Sequence, residues 1–187
     1  MLNEIKILYT KAMMKDCYEI AKLKGEVWNS TYRGIYSDEA LDNYDIERNK
    51  QTFEKIVENP KLSLYIAKDA EKIVGFISFG EPYRPFLHYQ QEVGLLYILK
   101  EYQKFGIGKK LFSIAKDNIS NNGYKEFFVT VNKHNENAIG FYIAMGGSVI
   151  HIDDDSEDKQ KPGVKLHYTA WNMGLSTFVG KVAQLPR

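Results

Sequence analysis

Two glycines, Gly106 and Gly108, stand between an apolar run, Glu92 to Leu99, and an amphipathic one that begins at Ile107. Residue types in that order can bind phosphate. Glycine lets the backbone take left-handed or crowded conformations and lets a ligand come close. The first turn of a helix leaves N–H groups without internal partners, and its dipole favours negative charge there. A strand, a glycine turn and a helix start therefore make a cradle for phosphate oxygens. Lys104, Lys109 and Lys110 add positive charge beside it. The two common nucleotide loops do not fit. A Walker loop needs GxxxxGK[ST], but Gln103 stands five before Gly108 and Lys110 follows Lys109. A dinucleotide fingerprint needs a third glycine where Leu111 stands. By themselves the two glycines also fit a turn that serves packing alone.

Other reactive side chains form less of a pattern. Cys17 is the single cysteine, so an internal disulfide and a CxxC metal site are both excluded. It lies in a helical stretch with no histidine beside it, which argues against a nucleophilic thiol. The four histidines, His88, His134, His151 and His167, lack a spacing such as HExxH, and no metal site is expected. Residues Asp153, Asp154, Asp155, Ser156, Glu157 and Asp158 form the strongest charge run. Such a run either attracts a cationic molecule or is a solvated loop, and Lys159, Lys161 and Lys165 dilute its field.

The elements that must position these residues follow from periodicity. Glu4 to Thr10 alternates apolar and polar residues and reads as a strand. Asp16 and Glu19, three apart, read as a capping box that opens a helix with Ile20, Leu23, Val27 and Trp28 as its apolar stripe. Ser37 or Asp38 caps a short helix through Leu41, and a further helix is expected from Asp45 to Glu58, stopped at Asn59 and Pro60. Leu62 to Ala67 and Ile73 to Phe79 read as a hairpin about a polar turn. Glu81 to His88 holds two prolines and reads as a loop. After the apolar strand from Glu92 and the helix from the glycine turn come a strand (Glu126 to Val131), a helix (Asn135 to Met145) and two strands (Ser148 to Ile152, Lys165 to Trp171). A mixed sheet with helices on its faces, an α/β layer architecture, accommodates that order.

Composition narrows the function classes. The 187 residues fit one domain of ordinary size. With 44% hydrophobic and 26% charged residues, disorder, collagen-like repeats and coiled coil are excluded. Lys+Arg is 25 and Asp+Glu is 24, a net charge of +1, which disfavours a protein built to grip nucleic acid. No stretch nears the ~18 apolar residues that span a bilayer, so no membrane partner is expected. The N-terminus lacks the apolar segment of a secretion signal, and a cytoplasmic location is expected. The Asn29 and Asn118 sequons therefore receive no weight.

Set after a buried strand, Gln103-x-x-Gly106-x-Gly108 resembles the pyrophosphate motif Q/R-x-x-G-x-G/A of the GNAT superfamily of acyl-CoA-dependent N-acetyltransferases. Three further matches accompany it. Glu92 lies five residues before Tyr97, as in the family's E-x-x-x-x-Y-V run. Asn135-x-x-Ala138-Ile139-x-Phe141-Tyr142-x-x-x-Gly146 resembles its later N-x-x-A-x-x-F-Y-x-x-x-G helix. Trp28-x-x-Thr31-Tyr32-Arg33-Gly34-Ile35 resembles a W-x-x-T-Y-x-G-I signature of a bacterial branch. The likeness spans roughly residues 4–171. It departs at Gly147, where an aromatic is usual, and at Lys104-Phe105, where a second cation is usual. The expected domain covers residues 1–171, with 172–187 a tail or a cloning remnant.

The resemblance implies an α/β (mixed α+β) fold: a central mixed, mostly antiparallel sheet splayed at its middle, with helices on both faces. It implies acetyl-CoA as co-substrate and an amine (a small amine, a polyamine or a peptide amine) as acceptor, joined by direct attack. Tyr97, Ile98, Gln103, Lys104, Phe105, Gly106, Ile107, Gly108, Lys109 and Asn135 would hold the coenzyme, with the Ile98 N–H toward the thioester oxygen. Tyr142 would be the general acid, since a phenol of pKa ~10 still holds its proton at neutral pH; the plain alternative is a core tyrosine. Glu92 would be the general base, acting through water, its pKa raised by an apolar strand; the alternative is a solvent-facing strand edge. Asn135 also suits a helix cap. Trp28, Tyr32 and Tyr36 would line the acceptor site. A homodimer stays open. The reading from another class is a CoA-binding module of the same fold without catalysis.

Overall fold

The structure, a computed structural model, describes residues 6–153 and 163–170. The first strand β1 (Ile7–Lys11) leads through a 3₁₀ turn into α1 (Cys17–Tyr32), α2 (Asp38–Asp42) and α3 (Ile46–Glu58). The hairpin β2 (Leu62–Asp69) and β3 (Lys72–Gly80) follows, then β4 (Glu92–Ile98), α4 (Ile107–Asn121) and β5 (Glu126–Asn132). The chain continues through α5 (Glu136–Ala144), β6 (Ser148–Asp153) and β7 (Gly163–Thr169). Expected and observed elements agree in type and order. The expected tail from residue 172 and the acidic run beyond Asp153 lie outside the described residues.

Local chemistry explains most boundaries. Ser37 Oγ accepts the Ala40 N–H at 3.3 Å and opens α2; the Asp45 carboxylate accepts the Arg48 N–H at 2.9 Å and opens α3. Both are N-caps, which give a helix-start donor a partner. The start of α1 differs from the expected Asp16–Glu19 box. Asp16 sits in the 3₁₀ turn, accepts the Met13 N–H at 2.9 Å and pairs with Lys68 Nζ of β2 at 3.1 Å. Both side chains of that pair are largely buried, so the turn is anchored to the sheet. Sequence spacing could not register a partner so far along the chain.

Among the described residues seven strands form one sheet, in the order β1-β2-β3-β4-β5-β7-β6. Every neighbouring pair is antiparallel except β4 and β5. Pleating sends alternate residues to opposite faces. Phe76 of β3 meets Phe53 of α3 at 5.2 Å on one face, and Phe127 of β5 meets Phe112 of α4 at 5.9 Å on the other. Ile20, Leu23 and Val27 of α1 are buried as their stripe requires, while Trp28 is only half-buried. The fold is thus a mixed, mostly antiparallel sheet between helical layers.

Candidate active site

The site begins where the sheet comes apart. Strands β4 and β5 pair only at Glu92–Phe128 and Val93–Val129. Past Val93 both strands continue, β4 to Ile98 and β5 to Asn132, without pairing. The cause is on the other edge of β4. Phe79 of β3 faces Val93 and Ser78 faces Leu95, so Gly94 is an extra residue, a β-bulge. A bulge bends its strand and increases its twist. Gly94 is exposed, so the bulge adds no packing there. The result is a seam with unpaired backbone groups on both banks.

The orientation of the last amides in β4 follows from their partners. The Leu99 N–H donates to the Val74 carbonyl at 2.9 Å, toward β3. The Ile98 carbonyl instead accepts from Gln103 Nε2 at 3.1 Å. N–H and C=O of one strand residue point the same way and alternate between neighbours. The Ile98 N–H therefore faces the seam. Gln103 uses its side chain to brace the end of β4.

The glycine turn closes the head of the seam. Lys104 and Gly106 both adopt left-handed backbone, at φ 66° and 81°. Gly106 is the N-cap of α4, and its carbonyl accepts the Lys110 N–H at 3.0 Å. The N–H groups that follow it belong to the first turn, where a helix offers donors outward. A Cβ on Gly106 would meet nothing within 4 Å, so no other group packs against the turn at that position. Gly108 differs. A Cβ there would lie 3.7 Å from the Phe141 ring and 3.9 Å from Ile98, ordinary contacts that place Gly108 where α4 faces α5 and β4. Lys104, Phe105 and Lys109 are exposed around the turn. Asn135 caps α5 by accepting the Ala138 N–H at 3.1 Å.

Aromatic side chains gather on the other side of the seam. Trp28, Tyr32 and Tyr36 touch in every pair, with ring centroids 5.0 to 5.8 Å apart. Asn132, the last residue of β5, donates Nδ2 to the Tyr36 hydroxyl at 2.8 Å. This bond ties the α1–α2 turn to one bank of the seam. Behind them lie Tyr97 and Tyr142. Burial holds the Tyr97 phenol well above its ordinary pKa, and the phenols of Tyr32, Tyr142, Tyr36 and Tyr44 act in the same direction. Burial also raises the Tyr142 phenol, with Tyr168 and Tyr32 adding to it. Phenols from α1, β4 and α5 thus converge. Among the described residues nothing hydrogen-bonds the Tyr142 hydroxyl.

Glu92 stands at the closed foot of the seam. Its carboxylate accepts the Tyr83 N–H and the Thr130 hydroxyl, both at 3.2 Å. Burial raises its pKa above the ordinary carboxylate value, while those two bonds and Lys165 oppose the rise. Cys17 is fully buried, and burial, then Glu54, push its thiol up to about 11. A thiol in that state supplies almost no thiolate at neutral pH.

Of the residues expected at the site, Glu92, Tyr97 and Ile98 lie on β4, residues 103–109 form the turn and the start of α4, Trp28, Tyr32 and Tyr36 form the aromatic cluster, and Asn135 and Tyr142 lie at the cap and on the body of α5. Four participants had no signal in the sequence: Thr130, Asn132, Tyr44 and the Tyr83 amide, all brought in by tertiary contact. The departure at Gly147 has a physical reason. The Tyr168 ring occupies the space a side chain would need, and its hydroxyl donates to the Tyr142 carbonyl. A packed tyrosine from β7 therefore fills the space at the start of β6.

Comparison with known proteins points the same way as the geometry. The sequence profile described as "Acetyltransferase (GNAT) domain" matches residues 33–164. The uncharacterized N-acetyltransferase YuaI of Bacillus subtilis is 29% identical over 145 residues, covering 77% of this chain and 82% of that protein. A spermidine N(1)-acetyltransferase of Thermoplasma acidophilum is 27% identical over 150 residues, covering 76% of this chain and 89% of that protein. The crystal structure of the PaiA N-acetyltransferase from Thermoplasma acidophilum in complex with coenzyme A superposes with a TM-score of 0.73 at 22% identity, over 88% of this chain and 99% of that one. Bulged strand, parted seam, glycine-capped helix and a profile match over most of the chain agree: the protein is a member of the GNAT family of acetyltransferases.

Proposed function

We propose that the protein transfers the acetyl group of acetyl-CoA to a primary amine by direct attack within a ternary complex. The observation that carries this reading is the seam between β4 and β5, open from Gly94 onward and leading to the glycine cap of α4. Acetyl-CoA supplies the acyl group as a thioester on a long arm that ends in a pyrophosphate. The residues present fit such a molecule. The uncrowded Gly106 position and the first N–H groups of α4 suit the pyrophosphate, with Lys104 and Lys109 exposed beside them. The unpaired edge of β4 suits the amide-bearing arm.

Each reacting atom then has a group beside it. The Ile98 N–H donates to the thioester oxygen, where negative charge builds as the amine attacks. Glu92 takes the proton that the acceptor ammonium must lose; its raised pKa makes it a stronger base than an ordinary carboxylate. Tyr142 gives its proton to the departing sulfur, and its raised pKa keeps it protonated until then. Asn135, already a helix cap, borders the coenzyme arm. Trp28, Tyr32 and Tyr36 form the acceptor wall, and an aromatic wall attracts ammonium groups. The similarity to a spermidine N(1)-acetyltransferase supports an acceptor of the polyamine class. The Cys17 thiol, buried and protonated, takes no part.

The test is release of free coenzyme A from acetyl-CoA across a panel of polyamines, simple amines and lysine peptides. The Tyr142→Phe variant is run in parallel. Turnover on at least one amine, lost in the variant, supports the reading. Coenzyme binding without turnover on any amine overturns it.

A further inference from the structure

Strand β4 does not run straight into the glycine turn. A 3₁₀ turn at Lys100–Tyr102 intervenes. The tip of the β2–β3 hairpin holds that turn at two points. The Tyr102 hydroxyl donates to Asp69 Oδ2 at 2.8 Å, and Lys72 Nζ pairs with Glu101 Oε1 at 3.1 Å. Asp69 and Lys72 face each other across the hairpin, on either side of its reversal. Lys72 Nζ also stands 5.3 Å over the Tyr102 ring. In the sheet, β4 lies between the hairpin and the seam, and acetyl transfer as read above gives these residues no part.

The two contacts differ in strength. Lys72 and Glu101 are 56% and 53% exposed, and an ion pair so exposed contributes little. Tyr102 is half-buried and packs against the core. Its hydroxyl meets a carboxylate, and such a charge-assisted bond is stronger than a neutral one. The bond to Asp69 also raises the phenol above its ordinary pKa, so the phenol remains the donor. Two residues further on, Lys104 has left-handed backbone at φ 66°, which is unfavourable for a residue with a Cβ. Such backbone persists where its surroundings over-determine it. Ahead of Lys104, the Gln103 N–H donates to the Lys100 carbonyl at 3.2 Å and Gln103 Nε2 to the Ile98 carbonyl at 3.1 Å. Those two bonds stay within the turn and its own strand. The bond to Asp69 ties the turn to a separate element.

We propose, resting on the acetyl-transfer reading, that Tyr102 and Asp69 are positioning residues for the coenzyme. Their hydrogen bond fixes the entry to the left-handed backbone at Lys104 and Gly106, and so the amides that hold the pyrophosphate. The pair touches no reacting atom. It acts on affinity: a turn that the coenzyme must itself order subtracts the cost of that ordering from binding. The Ile98 N–H lies ahead of the turn, on β4, so the chemistry at the thioester is left as it was.

Calorimetric titration of the whole protein with coenzyme A tests this, on the wild type, Tyr102→Phe, Asp69→Ala, the double variant and Asp69→Asn. Tyr102→Phe keeps the ring and should raise the Kd about fivefold. Asp69→Ala should do the same, and the double variant should lose no more than either single one, because both changes remove one bond. Asp69→Asn keeps an acceptor oxygen and should recover part of the loss. In steady state Tyr102→Phe should raise the KM for acetyl-CoA while kcat and the KM for the amine stay constant. Wild-type affinity in Tyr102→Phe, additive losses in the double variant, no recovery in Asp69→Asn, or equal changes in kcat and both KM values overturns the positioning role and leaves the acetyl-transfer reading standing. A wild type that binds no coenzyme A overturns that reading, and this role with it.

Discussion

The Thr130 hydroxyl reaches the Glu92 carboxylate at 3.2 Å across the seam, beside the rungs where β4 and β5 still pair. The carboxylate is therefore held between the two strands whose separation opens the site. Its protonation state is set by opposing effects: burial raises the pKa, while Thr130, the Tyr83 amide and Lys165 restrain the rise.

Replacing Glu92 with Gln should lower kcat/KM by about 10²-fold or more, the usual scale for losing a general base. In the wild type, activity should fall as pH drops through a value above the ordinary carboxylate range, and that limb should vanish in the variant. The stability effect has the opposite sign. The folded state binds the Glu92 proton more tightly than the unfolded state, so this residue favours folding in acid and loses that contribution as pH rises through its folded pKa. Glu92→Gln should melt above wild type at neutral pH, with the gap closing in acid. Melting curves across pH check this; a variant less stable at neutral pH contradicts it.

Tyr142→Phe separates catalysis from packing. The ring is buried against Phe112 and Phe141, and phenylalanine keeps those contacts. Among the described residues the hydroxyl makes no hydrogen bond, so its loss should leave Tm nearly unchanged. A general acid contributes about 10²-fold or more, so kcat should fall by that scale while coenzyme affinity stays constant. A large drop in Tm with little change in kcat would assign Tyr142 to the core instead.

Much of this was legible in the sequence, and the reason is locality. The glycine turn, the caps at Ser37 and Asn135, the start of a helix near Asp45 and the order of elements along the chain are written in short stretches where neighbouring residues determine the backbone. The splaying of the sheet was implied only by family likeness, and its cause, the bulge at Gly94, was not legible because it depends on register against β3. Thr130, Asn132 and the Tyr83 amide were not legible at all. Each is an ordinary residue that acquires its place when distant segments meet, as Asn132 meets Tyr36.

The two glycines of the turn should respond differently to alanine. Gly106 has φ 81° and open space where a Cβ would stand, so the cost at this position is in the backbone, about 1–2 kcal/mol. Gly106→Ala should lower Tm and raise the KM for acetyl-CoA by reshaping the first N–H groups of α4. Gly108→Ala places its Cβ 3.7 Å from Phe141, an ordinary contact, and replaces a poor helix former with a good one. It should be neutral or stabilising, with coenzyme affinity kept. Calorimetric titration of both variants with coenzyme A distinguishes them.

On the acceptor side, Tyr36→Phe removes the hydrogen bond from Asn132 but keeps the ring between Trp28 and Tyr32. The bond is worth about 1 kcal/mol, so the KM for the amine should rise about fivefold. The KM for acetyl-CoA should not move, since the change lies on the opposite side of the seam from the glycine turn. Equal rises in both constants would place Tyr36 on the coenzyme instead.

Gly147 and Tyr168 offer a test of the packing behind α5. A Cβ at residue 147 would meet the Tyr168 ring and come within 2.9 Å of the Tyr142 carbonyl, which is backbone and cannot easily give way. Gly147→Ala should therefore cost about 1–3 kcal/mol, the range for overpacking. Tyr168→Leu vacates part of that space and also removes the hydrogen bond to the Tyr142 carbonyl. Each change alone should lower Tm, but the second change relieves the clash created by the first. The double variant should lose less stability than the two single losses added together, a coupling measurable in a double-mutant cycle. Strict additivity would mean that the ring does not fill the place of the missing aromatic.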